Sequence, residues 1–375
     1  MLRIGFDAKR AFLNNTGLGN YSRSVITSLA SSFPENEYFL YTTKQIHNSR
    51  TAGMLSYPDV TVRTPNIPIL KSLWRSRFVV NRLVKDKIDL YHGLSHEIPV
   101  AIQNTPIKTV VTIHDLIFLR YPQYYKPADR KIYEIKFRNA CKNANKIIAI
   151  SEQTKRDIIH YFGTDNAKIE VVYQSCDPSF AQKYTPEHLN AIRSKYHLPE
   201  KFLLNVGTIE DRKNLMLIVK ALSEIPEEIK LVVIGKETPY AEKVKKYLSE
   251  HQLENRVLFL EDIPFSDLPA IYQLAKIFIY PSEFEGFGIP ILEALNAGVP
   301  VIAATGSCLE EAGGSSSLYV APTDHKALAI AVNNILQDSN LSNNMVVSGK
   351  LHAAQFKENA HAENLMRIYK NVLAQ

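Results

Sequence analysis

The residues best suited to chemistry lie in two strings of the second half. One is Pro281-Ser282-Glu283-Phe284-Glu285-Gly286-Phe287-Gly288-Ile289-Pro290-Ile291-Leu292-Glu293-Ala294, where a strand pattern gives way to a glycine-rich loop and then to a helix. Pro290 suits the first helical position, because its missing N–H would be unpaired there anyway. The amides of Phe287, Gly288 and Ile289 then stand at the positive end of a helix dipole, a cradle for sugar hydroxyls or phosphate oxygens. Glu285 falls in the loop and Glu293 in the first turn, so two carboxylates can face one ligand and hold vicinal hydroxyls. The bland alternative for Glu293 is a carboxylate that only complements the helix N-terminus.

The other string is Asn205-Val206-Gly207-Thr208-Ile209-Glu210-Asp211-Arg212-Lys213-Asn214-Leu215, a strand ending at glycine followed by adjacent cations. Arg212 can grip two phosphate oxygens through its planar fork, and Lys213 adds a mobile point charge. Together they suit charge building on a departing diphosphate; the alternative is an exposed basic pair. In the first half, Asn14-Asn15-Thr16-Gly17-Leu18-Gly19-Asn20-Tyr21 puts Gly17 and Gly19 where backbone can approach a ligand as a helix begins. Ser22 stands where a dinucleotide fingerprint needs its third glycine, which disfavours a nicotinamide dehydrogenase. His114 and Asp115 close the run Val111-Thr112-Ile113, and a histidine there can hydrogen-bond a sugar, although lone histidines are more often structural.

These groups need a scaffold, and the apolar pattern supplies one. Runs at 3–8, 38–43, 60–64, 89–94, 108–115 and 146–151 read as buried strands, with helical patterns at 19–33, 71–87 and 129–142 among them. The scheme repeats at 202–207, 231–235, 257–261, 277–281, 299–304 and 318–321. Alternation of strand and helix implies parallel sheets with helices on both faces. The expectation is α/β: two Rossmann-like doubly wound domains facing across a cleft, 1–180 and 181–355, with a helix at about 356–375 returning to the first.

Composition narrows the chemistry. The 375 residues, 45% hydrophobic and 22% charged, fit two domains. Three separated cysteines without ligand spacing argue against a disulfide framework or structural zinc. No Gly-x-Ser-x-Gly elbow supports a nucleophile, and no Asp-x-Asp supports a metal. Neither a signal peptide nor an apolar run of ~20 residues is present, so a cytoplasmic protein is expected. Residues 1–180 carry 25 Lys+Arg against 15 Asp+Glu, and the remainder 19 against 23. The basic half is expected to meet something anionic, or else to carry solvated helix faces. Lys71-Ser72-Leu73-Trp74-Arg75-Ser76-Arg77-Phe78 interleaves cations with large apolar residues, and Lys126, Arg130, Lys131, Lys136 and Arg138 add a second basic stretch. A peripheral contact with an anionic membrane face is expected; the alternative is a helix that packs Leu73, Trp74, Phe78 and Leu83 onto its own sheet.

Taken together, Gly17 to Tyr21, Thr112 to Leu116, Ala149 to Glu152, Val206 to Asn214, Glu285 to Glu293 and Ala297 to Val301 resemble the family-four retaining glycosyltransferases, in particular bacterial mannosyltransferase-like members of surface polysaccharide synthesis. The resemblance spans essentially the whole chain. It implies the GT-B fold and transfer of a hexose, mannose favoured, from a nucleoside diphosphate sugar to a glycan or lipid-linked acceptor hydroxyl. GDP-mannose is the favoured donor, no cofactor or metal is implied, and nucleic acid is not a partner. It makes Glu293 a ribose ligand, Glu285 a donor-sugar ligand, Arg212 and Lys213 a diphosphate clamp, Gly17 and Gly19 a phosphate-facing loop, and His114 a sugar contact. Asn20 replaces a common Arg, Thr208 another, and Glu358 a common Trp, which leaves Arg212 and Lys213 more of the phosphate. The other readings are a GT-B sugar-nucleotide epimerase and a catalytically inactive sugar-binding relative.

Overall fold

Each apolar run named above becomes a strand of a parallel sheet. The structure is a computed structural model and describes residues 1–65 and 73–375. It divides into two units, Met1–Gln174 with Glu358–Gln375, and Ser175–Lys357.

In the first unit the strands are β1 (Arg3–Asp7), β2 (Glu37–Tyr41), β3 (Val60–Arg63), β4 (Leu90–Gly93), β5 (Lys108–Ile113), β6 (Lys146–Ala149) and β7 (Ile169–Val171), in the order β3-β2-β1-β4-β5-β6-β7. Edge strand β7 has no counterpart among the expected strands, because its three residues with Glu170 at the centre carry too little pattern to read. Alternate residues serve opposite faces. Ile4, Phe6, Tyr38 and Leu40 pack under the helices Gly17–Ser32 and Glu358–Leu373, while Phe39, Tyr41, Val111 and Ile113 pack against Val79, Leu83 and Phe137. Burial on both faces is why these strands read as continuous apolar runs. The last helix buries Ala362, Leu365, Met366, Tyr369 and Val372, spaced as one helical stripe.

The second unit holds β8 (Phe202–Val206), β9 (Lys230–Ile234), β10 (Val257–Leu260), β11 (Ile277–Tyr280), β12 (Val301–Ala304) and β13 (Leu318–Val320), in the order β10-β9-β8-β11-β12-β13. β12 begins later than its apolar run, since the Val299 amide is drawn back to the Ala294 carbonyl after the left-handed Gly298. The sequence pattern puts the domain break at 180/181, inside the turn Pro178–Ala181, which the structure gives to the second unit. Phe180 explains this: it is fully buried, edge-on to Tyr272 at 5.3 Å and near Phe265 at 5.8 Å.

Strand order reverses between β1 and β4 in one sheet and between β8 and β11 in the other. Parallel sheets bind ligands beyond the carboxyl ends of the strands at such reversals. Among the described residues no helix is long and apolar enough to cross a membrane. Of the helix expected at 71–87, Lys71 and Ser72 lie outside the described residues; Trp74–Phe78 is a π-helical turn that runs into the helix Val79–Lys85.

A buried polar chain ties the last helix to the first sheet. Tyr369 Oη lies 2.6 Å from His92 Nδ1, His92 Nε2 lies 2.8 Å from Thr112 Oγ1, and Thr112 Oγ1 lies 3.0 Å from Tyr21 Oη. Burial pushes His92 down to about 3, and His96 and His361 are lowered by the same cause. These rings are neutral when folded but take protons below about pH 6.5 once unfolded, so their stabilisation is full above that pH and is lost as pH falls. Trp74, the single tryptophan, belongs to this unit and reports on it alone. Its thermal transition is expected to fall steadily from pH 6.5 to 5, where ordinary carboxylates titrate little, and His92→Gln is expected to flatten that fall.

Candidate functional site

The end of β8 builds the densest charge cluster of the second unit. After Gly207 the chain makes a 3-10 turn, Asp211–Lys213, and Asn214 adopts the left-handed region at φ 56°. Asn214 Nδ2 donates to the carbonyls of Pro322 at 2.7 Å and Pro281 at 3.3 Å, pinning the turn to the neighbouring strand ends. Arg212 and Lys213 are thereby aimed at the end of β11, across the reversal of strand order.

Lys213 Nζ donates to Glu285 Oε1 at 2.5 Å and to Tyr280 Oη at 2.6 Å. Arg212 Nη1 lies 2.9 Å from the same carboxylate oxygen, and its other nitrogen pairs with Glu210 at 2.6 Å. An ammonium only donates, so the Tyr280 oxygen accepts from Lys213 and its proton turns to Glu285, 3.2 Å away. Burial alone would raise the Glu285 carboxyl, but the Lys213 and Arg212 charges overrule it and hold it at about 2. The same carboxylate raises Arg212 and Lys213 against the opposing effect of burial. A nearly buried pair of this kind contributes little net stability, whereas removing one partner costs about 3–5 kcal/mol. Its effect is to hold two cations and a carboxylate in place before any ligand arrives.

The helix after this loop is Ile289–Ala297, with Gly288 as its N-cap at φ 140°. A side chain at Gly288 would meet Ala312 at 3.1 Å and Leu309 at 3.2 Å, so space and backbone both require glycine. Two expectations need correcting here. Pro290 occupies the second helical position, since Ile289 starts the helix, and Glu293 stands in the second turn instead of the first. Its half-buried carboxyl accepts a hydrogen bond from Tyr272 Oη at 2.7 Å. Burial pushes Glu293 up to about 7, the Tyr272 bond opposes this, and the Asp177 charge adds to it. The helix dipole acts mainly on the first turn, and Glu293 lies beyond it. Phe287 is buried against Phe356 and anchors the loop. The Cys308 thiol reaches the carbonyls of Glu285 and Phe287 at 2.9 and 3.0 Å, a tie that widely spaced cysteines did not suggest.

His114, Gly17 and Gly19 belong to the first unit. Gly19 is buried, and a side chain there would fall 1.9 Å from the Asn14 carbonyl oxygen, so this glycine serves its own fold; Gly17 faces open space. Tyr21 on the same helix meets the His114 ring edge-on at 4.6 Å. His114 Nε2 lies 2.9 Å from the Leu94 carbonyl, which can only accept, so this nitrogen carries the proton, and Nδ1 faces the Gln174 amide at 3.4 Å. Burial lowers His114 to about 4, with the Leu94 bond opposing. It is a neutral histidine whose ring nitrogens both face protein groups, and a sugar hydroxyl would have to displace Gln174. The structure thus joins Arg212, Lys213 and Glu285 directly, sets Phe287, Gly288, Ile289 and Glu293 on the adjoining loop and helix, and keeps His114, Gly17 and Gly19 in the other unit. Tyr280 and Tyr272 escaped sequence reasoning. Tyr280 had a signal, a hydroxyl at the last position of an apolar strand; Tyr272, inside a buried helix, had none.

Residues 190–352 match the family Glycosyl transferases group 1, and residues 23–180 match Glycosyltransferase Family 4. The chain belongs to these glycosyltransferases. Among relatives, the O-antigen chain mannosyltransferase B of Escherichia coli is 27% identical over 95% of this chain and 96% of its own. The O-antigen chain mannosyltransferase RfbU of Salmonella typhimurium is 28% identical over 64% of this chain and 63% of its own. Of solved structures, Anabaena HepE in complex with UDP superposes with a TM-score of 0.78 at 17% identity, covering 99% of this chain and 100% of that one, and WaaG with 0.75 at 16%, covering 98% and 99%. The fold of this glycosyltransferase is GT-B.

The raised Glu293 carboxyl has a measurable cost. The unfolded chain ionises it more readily than the folded one, so the cost is absent below about pH 4.5, grows as pH rises from there to about 7 and is full above that. Glu293→Gln keeps an acceptor for Tyr272 and is expected to raise the melting temperature of the ligand-free second unit at pH 8 while leaving it unchanged at pH 4.5. Calorimetry at both pH values checks this.

Proposed function

We propose that this glycosyltransferase moves a hexose, with retention of anomeric configuration, from a nucleoside diphosphate sugar to a hydroxyl of a glycan or lipid-linked acceptor, with GDP-mannose the favoured donor. The observation that carries the reading is the Arg212–Lys213–Glu285 cluster at the β8–β11 reversal. Arg212 and Lys213 match the oxygens of a diphosphate, Glu285 the sugar hydroxyls and Glu293 the ribose diol. Retention follows from the family resemblance: no carboxylate is assigned as nucleophile, and the leaving phosphate takes the acceptor proton on the face it departs from. The protein supplies position and charge. The mannosyltransferase names of the relatives support the sugar, and the HepE complexes with UDP and with UDP-glucose support a nucleotide donor.

A thermal-shift panel of GDP-, UDP- and ADP-sugars selects the donor, since a ligand at 100 times its Kd stabilises by about 2.7 kcal/mol. With that donor, the first-formed product is expected to keep the α configuration by NMR. Lys213→Ala is expected to lower turnover by roughly 10² or more, as losing a ~3 kcal/mol charge contact would. An inverted product, or near-normal turnover in the variant, contradicts the assignment.

An anionic lipid surface is the proposed seat of the first unit, on a patch that differs from the expected one. Arg75 is buried in ion pairs, Trp74 is partly buried, and Leu83 is fully buried in the core, so these three serve packing. Leu73 and Phe78 are exposed, as are Ile132 and Ile135 on the helix Pro127–Asn143, and so are the cations Arg77, Lys126 and Lys131. Arg130 donates to the Phe118 carbonyl, Lys136 pairs with Glu97 and Arg138 with Glu134, which leaves fewer free cations than the sequence suggests. Each cation near such a surface contributes about 1 kcal/mol. Co-sedimentation with anionic vesicles is expected to weaken in raised salt and in Arg77→Glu/Lys131→Glu; partitioning indifferent to both contradicts the docking.

A further inference from the structure

The first unit has its own charge cluster at its own reversal of strand order, between β1 and β4. Asp7 closes β1 and Glu97 follows β4. Arg75, turned inward by the π-helical turn, bridges them at 2.5 and 2.6 Å, and Lys136 Nζ completes the set 3.1 Å from Glu97. Two carboxylates answer two cations, and this network is neutral.

Lys9 and Arg10, half-buried in the short helix directly after β1, are left over. Among the described residues neither side chain makes a hydrogen bond or an ion pair, for the Lys9 backbone amide alone reaches Asp7, at 3.2 Å. Their charges are nonetheless felt. Burial lowers the Lys9 ammonium and the Arg75 and Arg10 charges lower it further, and together they outweigh the raising effect of the Glu97 and Asp7 carboxylates. Arg10 also helps to hold His96 and His114 neutral. Half-buried cations with no carboxylate paired to them raise the energy of the folded state, and charge of this kind gathers where a ligand supplies the opposite sign.

We propose that Lys9 and Arg10, beside the Asp7–Arg75–Glu97 bridge at the β1–β4 reversal, form a binding site for the oxygens of a phosphate or diphosphate group. Arg10 offers a planar fork and Lys9 a point charge, as at other phosphate sites. The site stands on its own residues. Its biological ligand rests on the sugar-transfer reading, under which the phosphate comes from a lipid-linked or phosphorylated acceptor or from the donor.

The test uses pyrophosphate and Lys213→Ala protein, in which the second unit's clamp is weakened, and follows the first unit separately through Trp74. Pyrophosphate is expected to raise the melting of the first unit, read through Trp74, in a saturable way. Adding Lys9→Met and Arg10→Gln, which keep most of the packing stems, is expected to abolish that rise while leaving the ligand-free melting temperature unchanged or higher, because the burial and mutual repulsion of these cations are gone. A pyrophosphate response that survives the two substitutions overturns the proposal, as does a ligand-free melting temperature that drops by several degrees, which would mark the cations as structural. This arm needs no turnover, so failure of the sugar-transfer reading leaves it intact. Steady-state kinetics of Lys9→Met/Arg10→Gln in otherwise native protein then names the source. At least a tenfold rise in the acceptor KM alone assigns the acceptor's phosphate, a rise in the donor KM alone assigns the donor's diphosphate, and no change in either overturns a role in catalysis.

Discussion

A single carboxylate oxygen shared between two cations governs the second unit. Glu285 could not be ionised in so enclosed a place without Lys213 and Arg212, and those cations could not be enclosed without it. The surrounding structure follows from keeping the three together. Asn214 takes a left-handed backbone and holds two strand-end carbonyls so that the cations point back over the sheet. Tyr280 offers its oxygen to one charge and its proton to the other. The Cys308 thiol and the buried Phe287 fix the loop that carries Glu285. Under the proposed reading, an incoming donor takes over these interactions one by one: phosphate oxygens replace the carboxylate at the cations, and sugar hydroxyls replace the cations at the carboxylate. Little has to reorganise, which is what electrostatic catalysis requires.

The first unit solves the same problem with different parts. Its bridge over the strand reversal runs through Arg75, supplied by a π-helical turn instead of a strand end. Beneath it lies a set of buried histidines kept neutral by burial, and one of them, His114, is wired to the backbone and to Gln174. The two units therefore differ in electrostatic character although their sheets are alike. At its strand reversal the second unit sets a depressed carboxyl between two cations, while the first unit sets a bridged Arg75 beside half-buried cations and neutral rings.

Most of the architecture was legible in the sequence, because strands buried on both faces must be continuous apolar runs and the intervening helices carry a stripe. Strand β7 was not legible, since three residues around Glu170 hold no period. The Glu285, Arg212 and Lys213 trio could be read because loop and turn chemistry fixes those residue types beside glycine and proline. Tertiary contact decided the rest. Arg75 looks like one more surface cation in a basic stretch, and only the fold shows Asp7 and Glu97, distant in sequence, closing on it. Glu293 looked like a first-turn carboxylate, and only the helix start at Ile289 and the Tyr272 hydroxyl show otherwise. Gly17 and Gly19 look equivalent in sequence, yet one faces open space and the other its own chain.

If Glu285 reads the sugar while Lys213 and Arg212 read the diphosphate, the two halves of the donor must separate in a binding measurement. The decisive experiment is calorimetric titration, in EDTA, of native protein and Glu285→Gln with the nucleoside diphosphate and with its sugar. The account predicts that both bind without a metal, that the variant holds the bare nucleotide at least as tightly as native protein because its cations are released, and that it loses the sugar nucleotide by about tenfold, or ~1.4 kcal/mol. Binding that requires a divalent cation, or equal weakening of both ligands in the variant, would contradict it.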